Sequence, residues 1–210
     1  MSDIEFKRNA RELKERKGVV KTVGLTGGIA SGKSVATKAL RAAGFYIVDA
    51  DEISRTLTAP GTPAEKELTH LFPNAVKGGT LDRRTLRKII SEDEDERAKL
   101  NAFTHPLIID EIKKAIALHG TPVIIAAPLL FETALSSLCD ATVCVTAPRA
   151  VRIERLIERD GVTRSAAEAI IDAQIPDFFR ATLADYCVPS DTDVETFTAE
   201  TVDLFTRIFS

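Results

Sequence analysis

Short continuous apolar runs alternate with amphipathic segments along much of the chain. The runs that predict strands are 21–26, 45–48, 122–127, 141–145 and 186–188, and the segments that predict helices are 34–43, 150–159, 165–174 and 195–209. Uninterrupted apolar strands are typical of a parallel sheet that is covered on both faces. The order strand, loop, helix, strand over residues 21–48 indicates a βαβ unit. The pattern therefore predicts an α/β fold with a parallel sheet.

The helices carry signals at their faces and ends. In the first helix, Val35, Ala39 and Leu40 are the expected inward positions, and Gly44 is the expected stop. Ser165 is the expected N-cap of the helix over 165–174, because a glutamate follows it three residues later.

The middle of the chain, 51–119, has a mostly helical pattern without further strands. Ser91 is the expected cap of one of its helices, with Glu94 completing a capping box. The acidic run 91–97 is interpreted as a solvated helix face. This segment is expected to form a helical lobe over the sheet.

One glycine-rich segment lies between a predicted strand and a predicted helix. Residues 27–34, Gly-Gly-Ile-Ala-Ser-Gly-Lys-Ser, fit G-x-x-x-x-G-K-[ST] in the context that this motif requires. Glycines allow the backbone to approach a polyphosphate, and the helix N-terminus directs its positive dipole end at the anion. Lys33 would place its charge on the β- and γ-phosphates, and Ser34 would offer its hydroxyl to Mg²⁺. The motif predicts a bound nucleoside triphosphate with Mg²⁺.

Acidic residues follow the second predicted strand, where open parallel sheets bind ligands. Asp51 can accept a proton from an attacking hydroxyl, as a kinase base must, or it can simply cap the helix that follows it. Asp49 is a candidate ligand of Mg²⁺-bound water or a neighbour of the base. The absence of an Asn-Lys-x-Asp motif argues against a GTPase.

Basic residues recur on one face of the helix over 150–159. Arg155 and Arg159 lie four residues apart, and Arg152 lies near the same face. Such arginines can neutralise charge on a transferring phosphoryl group. Salt bridges to Glu154 or Glu158 are the ordinary alternative.

Composition narrows the class of protein further. The chain has 210 residues, of which 44% are hydrophobic and 28% charged, which suits one compact domain or a core with a small insertion. The net charge of −3 argues against nucleic acid as a partner, and no window is long and apolar enough for a membrane span. The three cysteines form no Cys-x-x-Cys pair, which favours reduced thiols and a cytoplasmic protein.

Several blocks, taken in order, resemble the dephospho-coenzyme A kinase family. They are VGLTGGIASGKS (23–34), IVDADEISR (47–55), LDRRTLRKI (81–89), THPLI (104–108), PLLFE (128–132) and RLIERDGV (155–162). The similarity covers about residues 21–185.

The resemblance implies a three-layer P-loop kinase fold, α/β with a parallel sheet, a helical acceptor-substrate insertion and a mobile lid. The expected parts are an N-terminal extension at 1–20 and a kinase domain at 21–210, with its core at 21–58 and 120–210, the insertion at about 59–119 and the lid at about 155–180. It also implies transfer of the ATP γ-phosphate, with Mg²⁺, to the 3′-hydroxyl of dephospho-coenzyme A, the last step of coenzyme A synthesis. The expected partners are ATP and dephospho-coenzyme A, and the expected state is a monomer or small homo-oligomer.

Site residues follow from the resemblance by position. Asp51 corresponds to the general base, Lys33 to the P-loop lysine and Arg155 to a lid arginine that contacts ATP phosphates. The expected ATP-binding residues are Gly28, Ile29, Ala30, Ser31, Gly32, Lys33, Ser34, Val35, Arg155 and Arg159, with Ser34 also on the metal. The expected acceptor-binding residues are Asp49, Arg83, Arg84, Arg87, His105, Leu129 and Glu132. Alternatives remain for some of these residues. His105 can be structural, and one of the three arginines can be a surface charge. Glu132 can lie near Mg²⁺ or support a neighbouring loop.

The chain departs from the family pattern at a few positions. Ala30 and Val35 replace a usual glycine and threonine inside and just after the loop. After Gln174, an acid, Asp177, stands where an arginine is usual, with Arg180 one turn later as a possible compensation. An asparagine-containing stretch is replaced by Val-Pro-Ser at 188–190. These changes bear on the purine pocket and the lid, and the altered segment 174–180 leaves a nucleotide-binding regulator as one alternative. A second alternative is a kinase for another small acceptor, such as a nucleoside monophosphate or a sugar acid, which Asp51 and the acceptor-binding segment would decide.

Overall fold

The computed structural model describes residues 21–120 and 122–210. The expected extension at 1–20 lies outside the described residues. Strands are β1 (Thr22–Gly27), β2 (Ile47–Asp49), β3 (Val76–Lys77), β4 (Thr80–Leu81), β5 (Val123–Ala126), β6 (Ala141–Thr146) and β7 (Tyr186–Pro189). Helices are α1 (Lys33–Ala42), α2 (Ala50–Leu57), α3 (Pro63–Leu71), α4 (Arg83–Glu92), α5 (Glu94–His119), α6 (Arg149–Asp160), α7 (Arg164–Asp172), α8 (Asp177–Leu183) and α9 (Val194–Phe209). Short 3₁₀ turns cover Pro73–Ala75 and Ala134–Leu138.

The described residues form two compact units, one made of residues 21–48 together with the described part of His119–Ser210, and the other of Asp49–Leu118. The first unit contains a five-stranded sheet in the order β2-β5-β1-β6-β7. β1 pairs in parallel with β5 and β6, and β7 pairs in parallel with β6. Every residue of β1 is buried, as expected for a central strand covered on both faces. The predicted α/β fold with a parallel sheet is confirmed.

Helices α1 and α9 complete the main core of this unit. Leu40 of α1 and Phe197, Leu204 and Phe205 of α9 pack with the buried side chains of the central strands. The buried residues of α1 are Ala36, Thr37 and Leu40, so the expectation for Leu40 is confirmed. Val35 is 37% exposed, and its expected inward position is wrong because the buried face of α1 is centred one residue later. Gly44 adopts a positive φ of 90° just after the helix, as its expected role as a stop requires.

A second cluster joins α6 and α7. Ile153 and Leu156 of α6 pack against Ala167 and Ile171 of α7. The N-cap of α7 is Thr163, whose hydroxyl accepts a hydrogen bond from the Ala166 amide at 3.3 Å. The expected cap, Ser165, lies inside the first turn, so that prediction is wrong by two residues.

The second unit is mostly helical but also contains strands. Its core cluster includes Leu68, Phe72, Ala75 and Leu86. The residues of β3 and β4 form an antiparallel pair across the Gly-Gly turn at 78–79, so the expectation of helices without strands is wrong. Both glycines adopt positive φ there, which suits a tight hairpin turn.

The start of α5 also differs from the capping prediction. Asp93 accepts hydrogen bonds from the Asp95 amide at 2.9 Å and the Glu96 amide at 3.1 Å. Ser91 instead lies in α4 and donates to the Lys88 carbonyl. An aspartate two residues further along therefore performs the function expected of Ser91.

Candidate active site

The glycine-rich loop connects β1 to α1 as the motif predicts. Its turn is closed by a hydrogen bond of 3.1 Å from the Ser31 amide to the Gly28 carbonyl. Ala30 and Gly32 adopt positive φ values of 59° and 101°, so the chain curls before α1 begins. At Gly32 a side chain would meet Ser190 at about 3 Å in addition to the backbone strain. The loop therefore has the backbone curl of an anion-binding nest.

Side chains from outside the loop hold its carbonyl groups. Arg152 Nε donates to the Ile29 carbonyl at 2.7 Å, and Arg155 Nη1 donates to the Ala30 carbonyl at 3.2 Å. The Ser190 hydroxyl donates to the Ser31 carbonyl. These successive carbonyls are therefore held by partners outside the loop, which fixes the curl of the loop backbone.

Lys33 and Ser34 form the first turn of α1. Lys33 is half-buried, and its ammonium has no hydrogen-bond or ion-pair partner within residues 21–120 and 122–210. The Ser34 hydroxyl is exposed and likewise makes no hydrogen bond in the described part of the chain. Ser34 and Val35 also line an open, largely apolar groove of about 1190 Å³ between α1 and α9. The cation and the hydroxyl at this helix N-terminus are both available for a ligand.

The Ser34 hydroxyl fits a magnesium ion that arrives with a nucleotide. The described residues contain no cluster of three or more His, Cys, Asp or Glu side chains able to hold a metal ion. Mg²⁺ does not need one, because it keeps several waters and binds through substrate phosphates with one or two protein oxygens. The exposed Ser34 hydroxyl supplies an oxygen, the ligand atom that Mg²⁺ prefers.

The arginines of α6 have different partners. Arg155 donates to the Ser190 hydroxyl at 2.9 Å as well as to the Ala30 carbonyl, and it also contacts the Ser190 carbonyl. Arg159 is bonded at 2.7 Å by two nitrogens to both carboxylate oxygens of Asp160, which raises the pKa of its guanidinium. The acidic partner of Arg159 is therefore Asp160 rather than Glu154 or Glu158. Contact of Arg155 and Arg159 with ATP phosphates stays a prediction.

A buried charge network extends from this helix to α8. Arg152, which is 3% exposed, pairs with Asp177, and Asp177 also accepts a hydrogen bond of 3.2 Å from Arg180. Arg180 is 1% exposed and donates to Glu132 at 3.1 Å. Gln174 accepts from the Ile29 amide at 2.8 Å and from Arg152 at 3.3 Å.

Most of this network was not included among the predicted site residues. Glu132 was expected to touch substrate or to support a loop, and its ion pair with Arg180 favours support. Arg152, Gln174 and Ser190 were not assigned to the site, although the spacing of Arg152 and Arg155 on one helix face was a usable signal. Leu129, in the turn after β5, is 44% exposed, while its neighbour Leu130 is fully buried.

The acidic pair after the second strand lies at the start of the second unit. Asp49 is the N-cap of α2, and its carboxylate accepts from the Asp51 amide at 2.9 Å and the Glu52 amide at 3.2 Å. Asp51 lies in the first turn with an exposed side chain. The alternative that Asp51 caps this helix is therefore wrong, since Asp49 does so. The role of Asp51 as a base stays a prediction.

The expected acceptor residues of α4 differ in their engagement. Arg83 Nη2 donates to the Thr58 carbonyl at 2.6 Å and to the Thr58 hydroxyl at 3.0 Å, which ties α4 to the end of α2. Arg84 and Arg87 are exposed on the same helix. The structure therefore gives Arg83 a structural contact and leaves the other two guanidinium groups facing solvent.

His105 lies within α5, next to Pro106, and is half-buried. Burial lowers the pKa of its imidazole from the ordinary value, so the neutral form is favoured in the folded unit. In the unfolded chain the group titrates near pH 6.5. Below that pH the unfolded chain binds a proton that the folded chain resists, so stability falls as the pH decreases.

The expected result is that His105→Gln flattens this pH dependence. Denaturant unfolding at pH 7.5 and pH 5.5 should show a smaller loss of unfolding free energy in the variant than in the unsubstituted chain. His70→Gln is the matched control, because the His70 side chain is 79% exposed. Equal losses in the His105 and His70 variants would contradict the assignment.

No helix in the described ranges combines the length and apolarity that crossing a membrane requires.

The features that define the molecule lie in the first unit. A parallel sheet whose central strand leads into a curled glycine-rich loop, followed by a lysine and a serine at a helix N-terminus, defines the class of P-loop nucleotide-binding proteins.

Comparison with known proteins narrows this class to one family. The family model described as dephospho-CoA kinase matches residues 21–196, and the chain belongs to that family. The dephospho-CoA kinase of Moorella thermoacetica is 40% identical over 180 residues, covering 82% of this chain and 85% of that protein. The dephospho-CoA kinase of Anaeromyxobacter dehalogenans is 42% identical over 175 residues, covering 80% and 83%. The solved dephospho-CoA kinase of Campylobacter jejuni shares the fold with a TM-score of 0.68 at 24% identity, covering 89% of this chain and 96% of that one.

Proposed function

We propose that this chain transfers the γ-phosphate of ATP to the 3′-hydroxyl of dephospho-coenzyme A, producing coenzyme A and ADP with Mg²⁺ accompanying ATP. The observation that supports it most is the curled loop after β1, whose carbonyls are held from outside, in a chain matched by the family over residues 21–196. In the reaction, the 3′-oxygen forms a bond to the γ-phosphorus. The bond from that phosphorus to the oxygen bridging it to the β-phosphate breaks, and ADP leaves.

The proposed roles divide the chemistry among a few residues. Lys33 places its ammonium on the β- and γ-phosphates, where negative charge is concentrated during transfer. Ser34 contributes its hydroxyl to the metal, which neutralises phosphate charge when it is bound. Asp51 accepts the proton of the 3′-hydroxyl as the phosphoryl group is transferred.

The acceptor carries a pyrophosphate, which suits arginine side chains. All three arginines are exposed, and Arg84 and Arg87 are the better candidates to bind it because Arg83 already donates to Thr58. Further proposed acceptor contacts are Asp49, His105, Leu129 and Glu132. Asp49 and Glu132 carry less weight among them, because Asp49 caps α2 and Glu132 pairs with Arg180. The closing of a lid over residues 155–180, the oligomeric state and a cytoplasmic location stay predictions.

A coupled assay tests the proposed reaction directly. Purified protein is mixed with Mg·ATP and dephospho-coenzyme A, and ADP and coenzyme A are followed together. One-to-one formation of both products is expected. ADP formed without coenzyme A would indicate a different acceptor, such as a nucleoside monophosphate or a sugar acid. ATP binding without either product would favour a nucleotide-binding regulator and would overturn the proposal.

A further inference from the structure

The Arg152–Asp177 pair lies directly against the backbone of the phosphate loop. A methyl group at Gly28 would come within 2.6 Å of Asp177 Oδ1 and 2.7 Å of Arg152 Nη2. Arg152 also donates from Nε to the Ile29 carbonyl, the next residue along the loop. The pair therefore contacts consecutive loop residues, one by packing and one by a hydrogen bond.

The nitrogens of Arg152 are already engaged by protein atoms. Nε is bonded to the Ile29 carbonyl, Nη1 to Asp177 and Nη2 to Gln174. The side chain is 3% exposed, and a buried guanidinium requires a paired carboxylate to offset its lost hydration. Arg152 is thus placed to act on the loop rather than on a phosphate.

Asp177 is fixed from its other side by α8. Arg180 donates to Asp177 Oδ1 at 3.2 Å and is itself paired with Glu132. The two buried arginines balance the charge of the two carboxylates, and Asp177 lies between the two guanidinium groups because it is paired with both. Gln174, in the turn before α8, accepts a hydrogen bond from the Ile29 amide, and Arg152 donates one to the Ile29 carbonyl. Both backbone polar groups of Ile29 are therefore bonded to side chains of this network.

We propose that the Arg152–Asp177 ion pair is a positioning element that fixes the conformation of loop residues 28–31 and thereby sets the affinity for the triphosphate of ATP. The inference rests on the proposed function, because it assigns the loop to ATP. Both residues act through the loop backbone. Their loss weakens ground-state and transition-state binding of the nucleotide alike, so KM for ATP should change more than kcat.

The test uses Arg152→Met and Asp177→Asn in the full chain. Each is expected to raise KM for ATP roughly tenfold or more. Arg152→Met removes the charged hydrogen bond to the Ile29 carbonyl, and Asp177→Asn removes the carboxylate that pairs with the Arg152 guanidinium making that bond. The values of kcat and of KM for dephospho-coenzyme A should stay within about threefold of the unsubstituted enzyme. Calorimetric titration with ADP should show the same loss of affinity, independently of any acceptor.

The double variant tests whether the two residues act together. If they form one element, Arg152→Met combined with Asp177→Asn raises KM for ATP about as much as the worse single change, rather than by the product of the two. Arg149→Met is the matched control, since Arg149 lies on the same helix and makes exposed ion pairs with Asp172 and Glu168. This control should keep the KM of the unsubstituted enzyme.

A purely structural role would lower the unfolding temperature of the variants but leave KM for ATP and the affinity for ADP unchanged in those that fold. Thermal unfolding without nucleotide identifies any variant that fails to fold, and Arg152→Lys then replaces Arg152→Met. Lysine keeps the charge but lacks the fork that reaches Asp177 and Ile29 together, so KM for ATP should still rise. Unchanged KM and ADP affinity in the folded variants would overturn the proposal. A lower KM in Asp177→Asn would also overturn it, because Asp177 would then compete with a phosphate.

These outcomes are separate from failure of the proposed reaction. If the unsubstituted chain made no coenzyme A, the coupled assay would show it before any variant was made. The ADP titrations of the same variants would still decide whether the ion pair sets nucleotide affinity.

Discussion

Asp51→Asn is expected to lower turnover about a hundredfold or more while ATP binding survives. Asparagine has nearly the size of aspartate and keeps a side-chain oxygen, but it cannot take the proton of the acceptor hydroxyl. The fold of α2 should be retained, because Asp49 rather than Asp51 caps that helix. The measurement is kcat for coenzyme A formation, together with calorimetric binding of ADP.

Two neighbouring changes serve as controls for this prediction. Glu52→Gln removes an exposed carboxylate from the same helical turn and should leave kcat within about threefold. Asp49→Asn keeps a good capping residue, so loss of activity there would indicate that the Asp49 carboxylate has a role besides the cap. Turnover of Asp51→Asn equal to that of the unsubstituted enzyme would mean that another group accepts the proton.

Local sequence patterns were sufficient to predict the scaffold of the nucleotide site. The loop over 27–34 is bounded by a fully buried strand and a helix, because apolar periodicity and glycine placement both act over a few residues. The same patterns located the later parallel strands to within a residue or two at their ends. The two-residue strands β3 and β4 were missed, since so short a pair carries no period and only the Gly-Gly turn marks it.

Capping and helix faces were predicted less well because they depend on a single residue of register. Asp49 and Asp51 are both suitable caps by type, and only the backbone geometry shows that the carboxylate of Asp49 reaches the free amides. Val35 was expected inward, yet the buried face of α1 is formed by Ala36, Thr37 and Leu40. A helical period fixes the width of a face more reliably than its edge.

The charge network was beyond local prediction for a different reason. Arg152 and Asp177 are 25 residues apart, so nothing in the sequence pattern pairs them. The acid at position 177 stands where the family resemblance leads one to expect an arginine. In the structure that reversal of charge is balanced, since Arg152 and Arg180 both contact Asp177. Arg180 therefore compensates by pairing with the acid rather than by replacing the missing cation.

The other large effect is expected at Lys33, where Lys33→Met should lower kcat/KM for ATP by roughly 10²–10³-fold. Its ammonium is half-buried at the start of α1 and has no partner within the described ranges, so its charge is free to act on a ligand. The loss should appear in kcat as well as in KM, because charge on the phosphates is redistributed during transfer. This distinguishes Lys33 from Arg152, for which KM for ATP alone is expected to change.

Lys38→Met provides the matched control for Lys33, since Lys38 is an exposed lysine of the same helix. It should retain kcat/KM within about threefold, and both variants should unfold at similar temperatures because neither residue is part of the buried core. Lys33→Arg keeps the positive charge but replaces a compact ammonium with a planar fork, so most of the activity should still be lost. If Lys33→Met retained kcat/KM within threefold, the loop would bind phosphate through its backbone amides and helix dipole alone, and the role of Lys33 in transfer would be rejected.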